Sequence, residues 1–377
     1  MKNFSLRRAL QHLRDGLVDS STIDHLTMKR EQVVSSFFKG LTALEKGKPA
    51  HLCICGSYGQ GKSHSLNYLR SLALAQGYAV SLVQLDLREI PFHRFSIVYQ
   101  SFFEKLSLPD GQTFANAWNQ FACQGTSDYL NFMPHRFQMI LKAMISKIDP
   151  AVKKQNAKLG IALRPKEIAN SLKKGLGGHD LSISYLKQIM KWCEVVGHDK
   201  ESLTCKGNDP YVQMIRAFSG LLKEMGYKGL ILFFDEAEAI AQGRVGSRAK
   251  SYEILHQLFN SKEPLYPIFA FTESFFDQVN LEDYACEKQT FPQNYAELWK
   301  KLNVVRLADL SSEEWDGLQN RLIKLYADAY KIDLSSQAAH IGQSLQSVLN
   351  GIKTDETRFK LKALVHQLDI ETQHYFL

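Results

Sequence analysis

The chain has 377 residues, enough for two or three domain-sized units, and its balance of 45% hydrophobic and 23% charged residues excludes a wholly disordered protein. The net charge is +7, and the longest apolar runs fall far short of the roughly 20 residues that a membrane span needs. The N-terminal segment MKNFSLRRALQHLRDGL has no apolar core of signal-peptide type, so we expect a cytoplasmic protein without membrane contacts.

The first elements alternate between helix and strand. Residues 1–50 predict an N-terminal helical segment, because LRRALQHLRDGL and EQVVSSFFKGLTAL carry apolar residues at helical spacing. A short apolar strand is predicted over His51–Cys55, a helix over Ser63–Ala75 and a second strand over Tyr78–Leu85. Pro91 is expected in the first turn of the next helix.

A glycine-rich segment, GSYGQGKS, connects the first strand to its helix and matches G-x-x-x-x-G-K-[ST] in full. Its glycines allow consecutive backbone N–H groups to face one anion, and the following helix directs its positive end to the same point. We expect Lys62 to reach the β- and γ-phosphates of a nucleotide and the Ser63 hydroxyl to ligate Mg²⁺. A plain glycine-rich turn is the alternative that the motif alone leaves open. The residues predicted to bind the nucleotide are Gly56, Ser57, Tyr58, Gly59, Gln60, Gly61, Lys62, Ser63 and His64.

Residues 108–210 interrupt this alternation with a mostly helical pattern that predicts an insertion. Acidic residues are scarce from 151 to 191, where only Glu167 and Asp180 oppose the basic residues. Such a stretch can face the phosphates of DNA, and a solvated helical surface is the alternative. The basic residues are Lys153, Lys154, Lys158, Arg164, Lys166, Lys173, Lys174, Lys187 and Lys191.

The segment GLILFFDEAEAI, residues 229–240, reads as a buried strand that ends in two carboxylates. Carboxylates in this position are costly unless they face a cation or a polar cleft. In a parallel sheet, the carboxyl ends of the strands share the edge where the phosphate loop would lie. We expect Asp235 to hold Mg²⁺ through water and Glu236 to orient or deprotonate the attacking water. Glu238 is a weaker alternative base, and a helix-capping role is the alternative for Asp235.

The later elements are a helix near Arg248–Phe259, a strand at Tyr266–Phe271 and a strand at Leu302–Leu307. Thr272, directly after the first of these strands, is a candidate sensor of the γ-phosphate or a helix cap. A helical tail then begins at a capping sequence, SSEEW. Within this tail, Arg358 is a candidate to reach the phosphates, with a surface position as the alternative.

Strands separated by helices imply a parallel sheet covered on both faces. The order of the strands is that of AAA+ ATPases, so the predicted fold class is α/β: a P-loop NTPase sheet between helices, with a helical insertion and a C-terminal helical lid. The predicted parts are an N-terminal helical segment at 1–50, a P-loop ATPase core at 51–107 and 211–308, the insertion at 108–210 and the lid at 309–377.

The chain resembles the AAA-type ATP-binding family of BREX phage-defence loci (BrxD-like). The resemblance is carried by LRDGL and KRE near the start, then by GSYGQGKSH, DEAEAI, GRVGSRAKSYEIL, FTESFFD, VVRLADLS and TRFKLKALVHQLD. It implies an ATPase that works on DNA with protein partners of a defence complex. It also implies an arginine finger supplied to a neighbouring subunit, for which Arg244 and Arg248 are candidates, with solvated surface arginines as the alternative. Residues 108–210 do not take part in the resemblance.

Three functions are therefore open. The favoured one is a Mg²⁺-dependent AAA+ ATPase, with ATP and Mg²⁺ as cofactors, DNA and defence proteins as partners and a possible homo-oligomeric assembly. A regulatory ATP-binding scaffold with little hydrolysis is the second. A small-molecule kinase is disfavoured, because the Asp-Glu pair indicates water as the nucleophile. The six scattered cysteines are expected to be reduced thiols, with Cys53 and Cys55 packed on the strand before the loop.

Overall fold

A computed structural model of the chain describes residues 2–15, 26, 31–123, 127–146, 165–195, 203–283, 291–352 and 357–375. The strands are β1 (Leu52–Cys55), β2 (Ala79–Gln84), β3 (Leu230–Asp235), β4 (Leu265–Phe271) and β5 (Val304–Arg306). The α-helices are α1 (Lys2–Arg14), α2 (Glu31–Glu45), α3 (Lys62–Ala75), α4 (Phe95–Glu104), α5 (Phe114–Ala122), α6 (His135–Ile145), α7 (Pro165–Leu176), α8 (Ile183–Trp192), α9 (Asp209–Glu224), α10 (Val245–Phe259), α11 (Glu273–Asp283), α12 (Tyr295–Trp299), α13 (Ser312–Tyr330), α14 (Ala338–Gly351) and α15 (Thr357–Glu371). Within these ranges no helix combines the length and apolarity required to cross a membrane.

The strands form one five-stranded sheet in the order β2-β3-β4-β1-β5, and every neighbouring pair is parallel. β1, β3 and β4 are buried along their whole length. This burial explains their continuous apolar sequences, because a parallel sheet covered by helices has no solvent-facing side. β4 lies between the phosphate-loop strand β1 and the acidic strand β3. The predicted α/β P-loop fold is confirmed.

One hydrophobic core fills one face of the sheet and continues into the predicted insertion. Trp118, Phe137 and Leu172 belong to the same buried cluster as Phe234 and Phe269 of β3 and β4. The described insertion helices therefore share this core with the sheet, and they contact the helices that cover it: Phe137 lies against Tyr99 of α4, and Phe114 lies against Phe218 of α9. A second core on the opposite face joins the sheet to α2 and α3.

A third core lies in the lid, which we define as α13, α14 and α15. Leu10 and Leu13 of α1 are buried in this core, and the Arg14 guanidinium pairs with Asp369 of α15 at 2.6 Å. The α1 helix thus packs on the lid, whereas α2 packs on the sheet. The segment predicted as one N-terminal unit is divided between two cores by contacts that are distant in sequence.

The predicted boundaries differ from the structure mainly at helix starts. Pro91 was expected in a first helical turn, and this prediction is wrong, because α4 begins at Phe95. The Asn208 side chain accepts the backbone N–H of Phe95 at 2.8 Å and donates to the His93 carbonyl at 3.0 Å, so a distant residue sets this helix start. The capped start at SSEEW is confirmed: Ser311 and Glu314 form a reciprocal capping box.

Candidate nucleotide-binding site

The glycine-rich segment forms a loop between the carboxyl end of β1 and the first turn of α3. Gly59 and Gly61 have φ angles of 81° and 87°. Other residues adopt this left-handed region only at a cost, so glycine at these two positions has a direct conformational reason. The N-terminus of α3, which begins at Lys62, lies at the loop. Backbone N–H groups at such a helix start are suited to bind an anion.

The Lys62 side chain is buried, with 8% of its surface exposed, and its ammonium group is directed back onto the loop. Its Nζ donates to the carbonyl oxygens of Gly56 at 2.9 Å and Ser57 at 3.1 Å. Among the described residues, the nearest carboxylate oxygen to Nζ is Oε1 of Glu238, 4.0 Å away. A buried ammonium with neutral partners and one distant carboxylate is incompletely compensated. The position suits an anionic ligand.

The acidic strand places its two carboxylates differently. Asp235 is 7% exposed at the end of β3, and its Oδ1 accepts the backbone N–H of Glu236 at 3.0 Å. Glu236 is exposed and has a left-handed backbone with φ 53°. Its Oε1 accepts the Gln84 side-chain N–H at 3.0 Å. Left-handed non-glycine residues cost of order 1–3 kcal/mol and cluster at functional sites.

The Glu238 carboxylate beside Lys62 indicates whether the site suits a phosphate with its cation. Its Oε2 is buried and has no hydrogen-bond partner among the described residues. Burial raises the pKa of this carboxyl group, and the nearby Lys62 opposes that shift. An unsatisfied buried oxygen beside an incompletely paired lysine is typical of a site that a polar ligand completes. The residues present therefore fit nucleotide phosphates with Mg²⁺.

These groups line one end of a cavity of about 540 Å³ between the sheet and the lid. The predicted residues Tyr58–His64, Asp235, Glu236, Glu238 and Arg358 all contribute to its lining. The apolar part of the lining, which we call the apolar end, comes mainly from residues that belong to the lid core or pack against it, with two valines of α2: Leu13, Leu26, Leu310, Leu318, Leu361, Val33 and Val34. The volume is within the range of small-molecule sites. A cavity with one polar and one apolar end matches a molecule that joins phosphates to a flat base.

The candidate sensors occupy different places. Thr272 lies outside the cavity lining; its carbonyl accepts the Phe275 N–H at 3.1 Å, and its hydroxyl is 2.7 Å from that of Ser274. These contacts are those of a helix start. Arg358 reaches the loop: its guanidinium lies 5.7 Å from the Tyr58 ring centroid, and Nη1 donates to the Tyr58 hydroxyl at 3.4 Å.

The two candidate finger arginines also differ. Arg244 is exposed immediately before α10. Arg248 is largely buried, pairs through Nε with the Glu282 carboxylate and donates through Nη1 to the Gly243 carbonyl. Both residues lie outside the cavity lining. Of the two, Arg244 is the one presented to solvent.

The predicted basic surface is described only in part. Lys153, Lys154, Lys158 and Arg164 lie outside the described residues. Lys166, Lys173 and Lys174 are exposed on α7, and their spacing of seven and eight residues places them on one helix face. On α8, Lys191 is exposed and Lys187 is half-buried.

Several contacts and residues of the site were not predicted from the sequence. The Gln60 side-chain amide donates to Asp309 Oδ1 at 2.7 Å, which joins the loop to the segment before the lid. Asp86, after β2, lines the cavity, and backbone N–H groups of Glu89 and Arg88 lower its pKa. The apolar end combines leucines and valines from distant segments. The motif leaves the side chain at position 60 unconstrained, and the other positions belong to no local motif.

The loop with the full G-x-x-x-x-G-K-[ST] pattern lies between strand β1 and helix α3, and the acidic strand β3 is separated from β1 by β4 in the same parallel sheet. Together these features define an AAA+-type P-loop protein. The chain matches the family "BREX system ATP-binding protein BrxC/D" over residues 3–122 and 203–375, and it belongs to this family. The predicted resemblance is confirmed. Residues 123–202, which include α6, α7 and α8, fall outside the match.

Comparison with solved structures gives a Walker-type ATPase of Pyrococcus abyssi, with 12% sequence identity, 93% of this chain and 73% of that chain covered, and a TM-score of 0.36. The comparison with curated proteins gives no significant match.

Proposed function

We propose that this protein is a Mg²⁺-dependent ATPase that binds ATP between the sheet and the lid and couples binding and hydrolysis to a movement of the lid. The observation that carries this proposal is the pair formed by the buried Lys62 ammonium and the unsatisfied Glu238 oxygen at the polar end of the cavity. The Lys62 ammonium has only neutral oxygens within hydrogen-bond distance, so a phosphate would supply the negative charge that it lacks. The Glu238 oxygen has no hydrogen-bond partner among the described residues, so a cation or its water would complete it. The apolar end accounts for the base, and the preference for ATP follows the family.

The proposed chemistry assigns a role to each residue at the polar end. Lys62 exchanges the Gly56 and Ser57 carbonyls for phosphate oxygens. Ser63 and Asp235 would hold Mg²⁺, which neutralises phosphate charge when bound. Glu236 orients or deprotonates the attacking water, and the Gln84 amide restrains the carboxylate that does so.

Arg358 and Thr272 are the proposed sensors of the γ-phosphate. Arg358 already lies over Tyr58 on the loop, so a short movement of its side chain suffices. Thr272 remains a weaker candidate, because its contacts are those of a helix cap. In an oligomer, the exposed Arg244 would serve a neighbouring subunit as the finger, whereas the contacts of Arg248 hold it within its own chain.

Phosphate release from Mg²⁺-ATP, measured with and without DNA, tests the enzymatic proposal. We expect Glu236→Gln to lower kcat about 100-fold while ATP still binds, because general-base assistance contributes about 10²–10⁴-fold. Glu253→Gln, which alters an exposed carboxylate on α10, is the matched control and should leave the rate unchanged. If wild type releases no phosphate under either condition, the regulatory scaffold replaces the ATPase.

We further propose that the protein acts in a DNA-associated phage-defence complex and contacts DNA through the insertion. Reversing Lys166, Lys173 and Lys174 to glutamate should weaken DNA binding and flatten its dependence on salt, because fewer counterions are released. The control reverses Lys46, Lys48 and Lys262, which are exposed elsewhere. Equal effects of the two triple variants would assign the α7 lysines to solvent.

A further inference from the structure

Two side chains of the phosphate loop contact residues that belong to the lid or lie directly before it. Tyr58 and Gln60 occupy x positions of G-x-x-x-x-G-K-[ST], which the motif leaves unconstrained. The Tyr58 side chain is 65% exposed, and its hydroxyl accepts a hydrogen bond from Arg358 of α15. Gln60 bonds Asp309. The loop is thus joined to the lid side at two separate points.

The Gln60 amide spans the loop from its first residues to the connector, which we define as residues 307–311 between β5 and α13. Its Nε2 donates to Asp309 Oδ1 at 2.7 Å, and its Oε1 accepts the backbone N–H of Ser57 at 2.6 Å. A Cβ on residue 56 would lie 2.7 Å from that Oε1. Gly56 therefore makes room for the folded-back Gln60 side chain, in addition to its place in the motif.

The geometry makes this amide sensitive to what the loop holds. Lys62 donates to the carbonyls of Gly56 and Ser57, next to the N–H that Gln60 accepts. When the Lys62 ammonium binds a phosphate instead, the carbonyls of Gly56 and Ser57 lose the hydrogen bonds that hold this part of the loop in place. Because the amide is short and planar, its bonds to Ser57 and Asp309 cannot both survive a rearrangement of the loop unless Asp309 moves with it.

We propose that Gln60 is a positioning residue that transmits occupancy of the phosphate loop to Asp309 and, through the connector, to the lid. This inference rests on the proposed ATP site. Asp309 lies two residues before Ser311, whose capping box fixes the start of α13. α13 is a 19-residue helix within the lid core, so a displacement of its first turn is passed on through a rigid element.

Hydrogen–deuterium exchange of the full chain, with and without the non-hydrolysable analogue AMP-PNP and Mg²⁺, tests the coupling in peptides that cover residues 307–318. In wild type, the analogue should change the exchange rates there by about fivefold or more, a typical coupling between sites. At AMP-PNP concentrations that saturate each variant, Gln60→Ala and Asp309→Ala should each lose most of this change. The AMP-PNP affinity of Asp309→Ala should stay within about fivefold of wild type, and the double variant should lose no more of the response than either single one.

Two further variants separate the hydrogen bond from a general effect on folding. Gln60→Glu should abolish the response because two carboxylates then face each other, and adding Asp309→Asn should restore it with the donor and acceptor exchanged. Asp316→Ala, at an exposed carboxylate in the same helix, is the control.

The outcomes separate the inference from the function on which it rests. A full nucleotide response in Gln60→Ala, an additive loss in the double variant or a failure of the exchanged pair to restore the response overturns the coupling alone. Absence of AMP-PNP and ATP binding in wild type overturns the proposed function together with the inference.

Discussion

At the scale of single residues, the Lys62 ammonium group determines the character of the site. It is buried, and its closest partners are two carbonyl oxygens of its own loop. Such hydrogen bonds stabilise the loop without neutralising the charge. The nearby Glu238 carboxyl, whose pKa burial raises, offers limited compensation at 4.0 Å. The side chain is therefore positioned to bind an anion, and we expect it to contribute little to the free energy of unfolding.

Lys62→Ala separates these two roles. We expect ATP affinity to fall about 100-fold, because hydrogen bonds to charged groups contribute about 1.5–3 kcal/mol. The free energy of unfolding without nucleotide should change by less than about 1 kcal/mol, since the lost bonds are offset by removal of a buried charge. Calorimetric titration and urea unfolding measure the two quantities, with Lys46→Ala as the exposed control. Unchanged affinity together with a large loss of stability would assign Lys62 a structural role.

At the scale of elements, α1 is fixed to the lid by an ion pair between Arg14 and Asp369. Burial alone would raise the pKa of Asp369, but hydrogen bonds from Arg14 and from Tyr326 outweigh it, and the pKa lies below its usual 3.8. A carboxyl group with a lowered folded-state pKa contributes stability that is present above its unfolded pKa and is lost as the pH falls through its folded pKa. Acid should therefore loosen α1 from the lid.

Asp369→Asn tests this attachment. At pH 7 the variant should unfold with a free energy lower by about 1 kcal/mol, a figure limited by the partial exposure of the pair. The difference from wild type should shrink as the pH falls below 3.8, where the wild-type carboxyl group also becomes protonated. Urea unfolding between pH 7 and pH 3 measures the difference. A difference independent of pH, or an equal effect of Asp328→Asn at an exposed position of α13, would contradict this account.

The elements also show how far sequence reasoning reaches. The strand before Gly56, the helix from Lys62 and the cap at Ser311 follow from patterns within a few residues, so the sequence predicts them well. The prediction that Pro91 lies in a first helical turn is wrong, because Asn208, which is distant in the chain, accepts the Phe95 N–H and α4 begins there. Local preference predicts helix ends only where no tertiary contact competes with it.

At the scale of the whole molecule, the candidate site lies between the core on one face of the sheet and the core of the lid. Its polar residues were predictable, because the motif and the acidic strand meet at one sheet edge in any parallel α/β fold. Its apolar end was not: Leu13, Val33 and Leu361 meet only because α1 packs on the lid and α2 on the sheet. Such contacts leave no local pattern in the sequence.

The central claim is that ATP binds between the sheet and the lid with its base at this apolar end. Photolabelling of the full chain with 8-azido-ATP, followed by mass-spectrometric mapping, tests it most directly. We predict labels in peptides that contain Leu13, Val33 and Val34 or Leu361, with excess ATP suppressing them and Lys62→Ala reducing them strongly. Labels concentrated in the insertion helices, or labels that excess ATP does not suppress, would contradict the account.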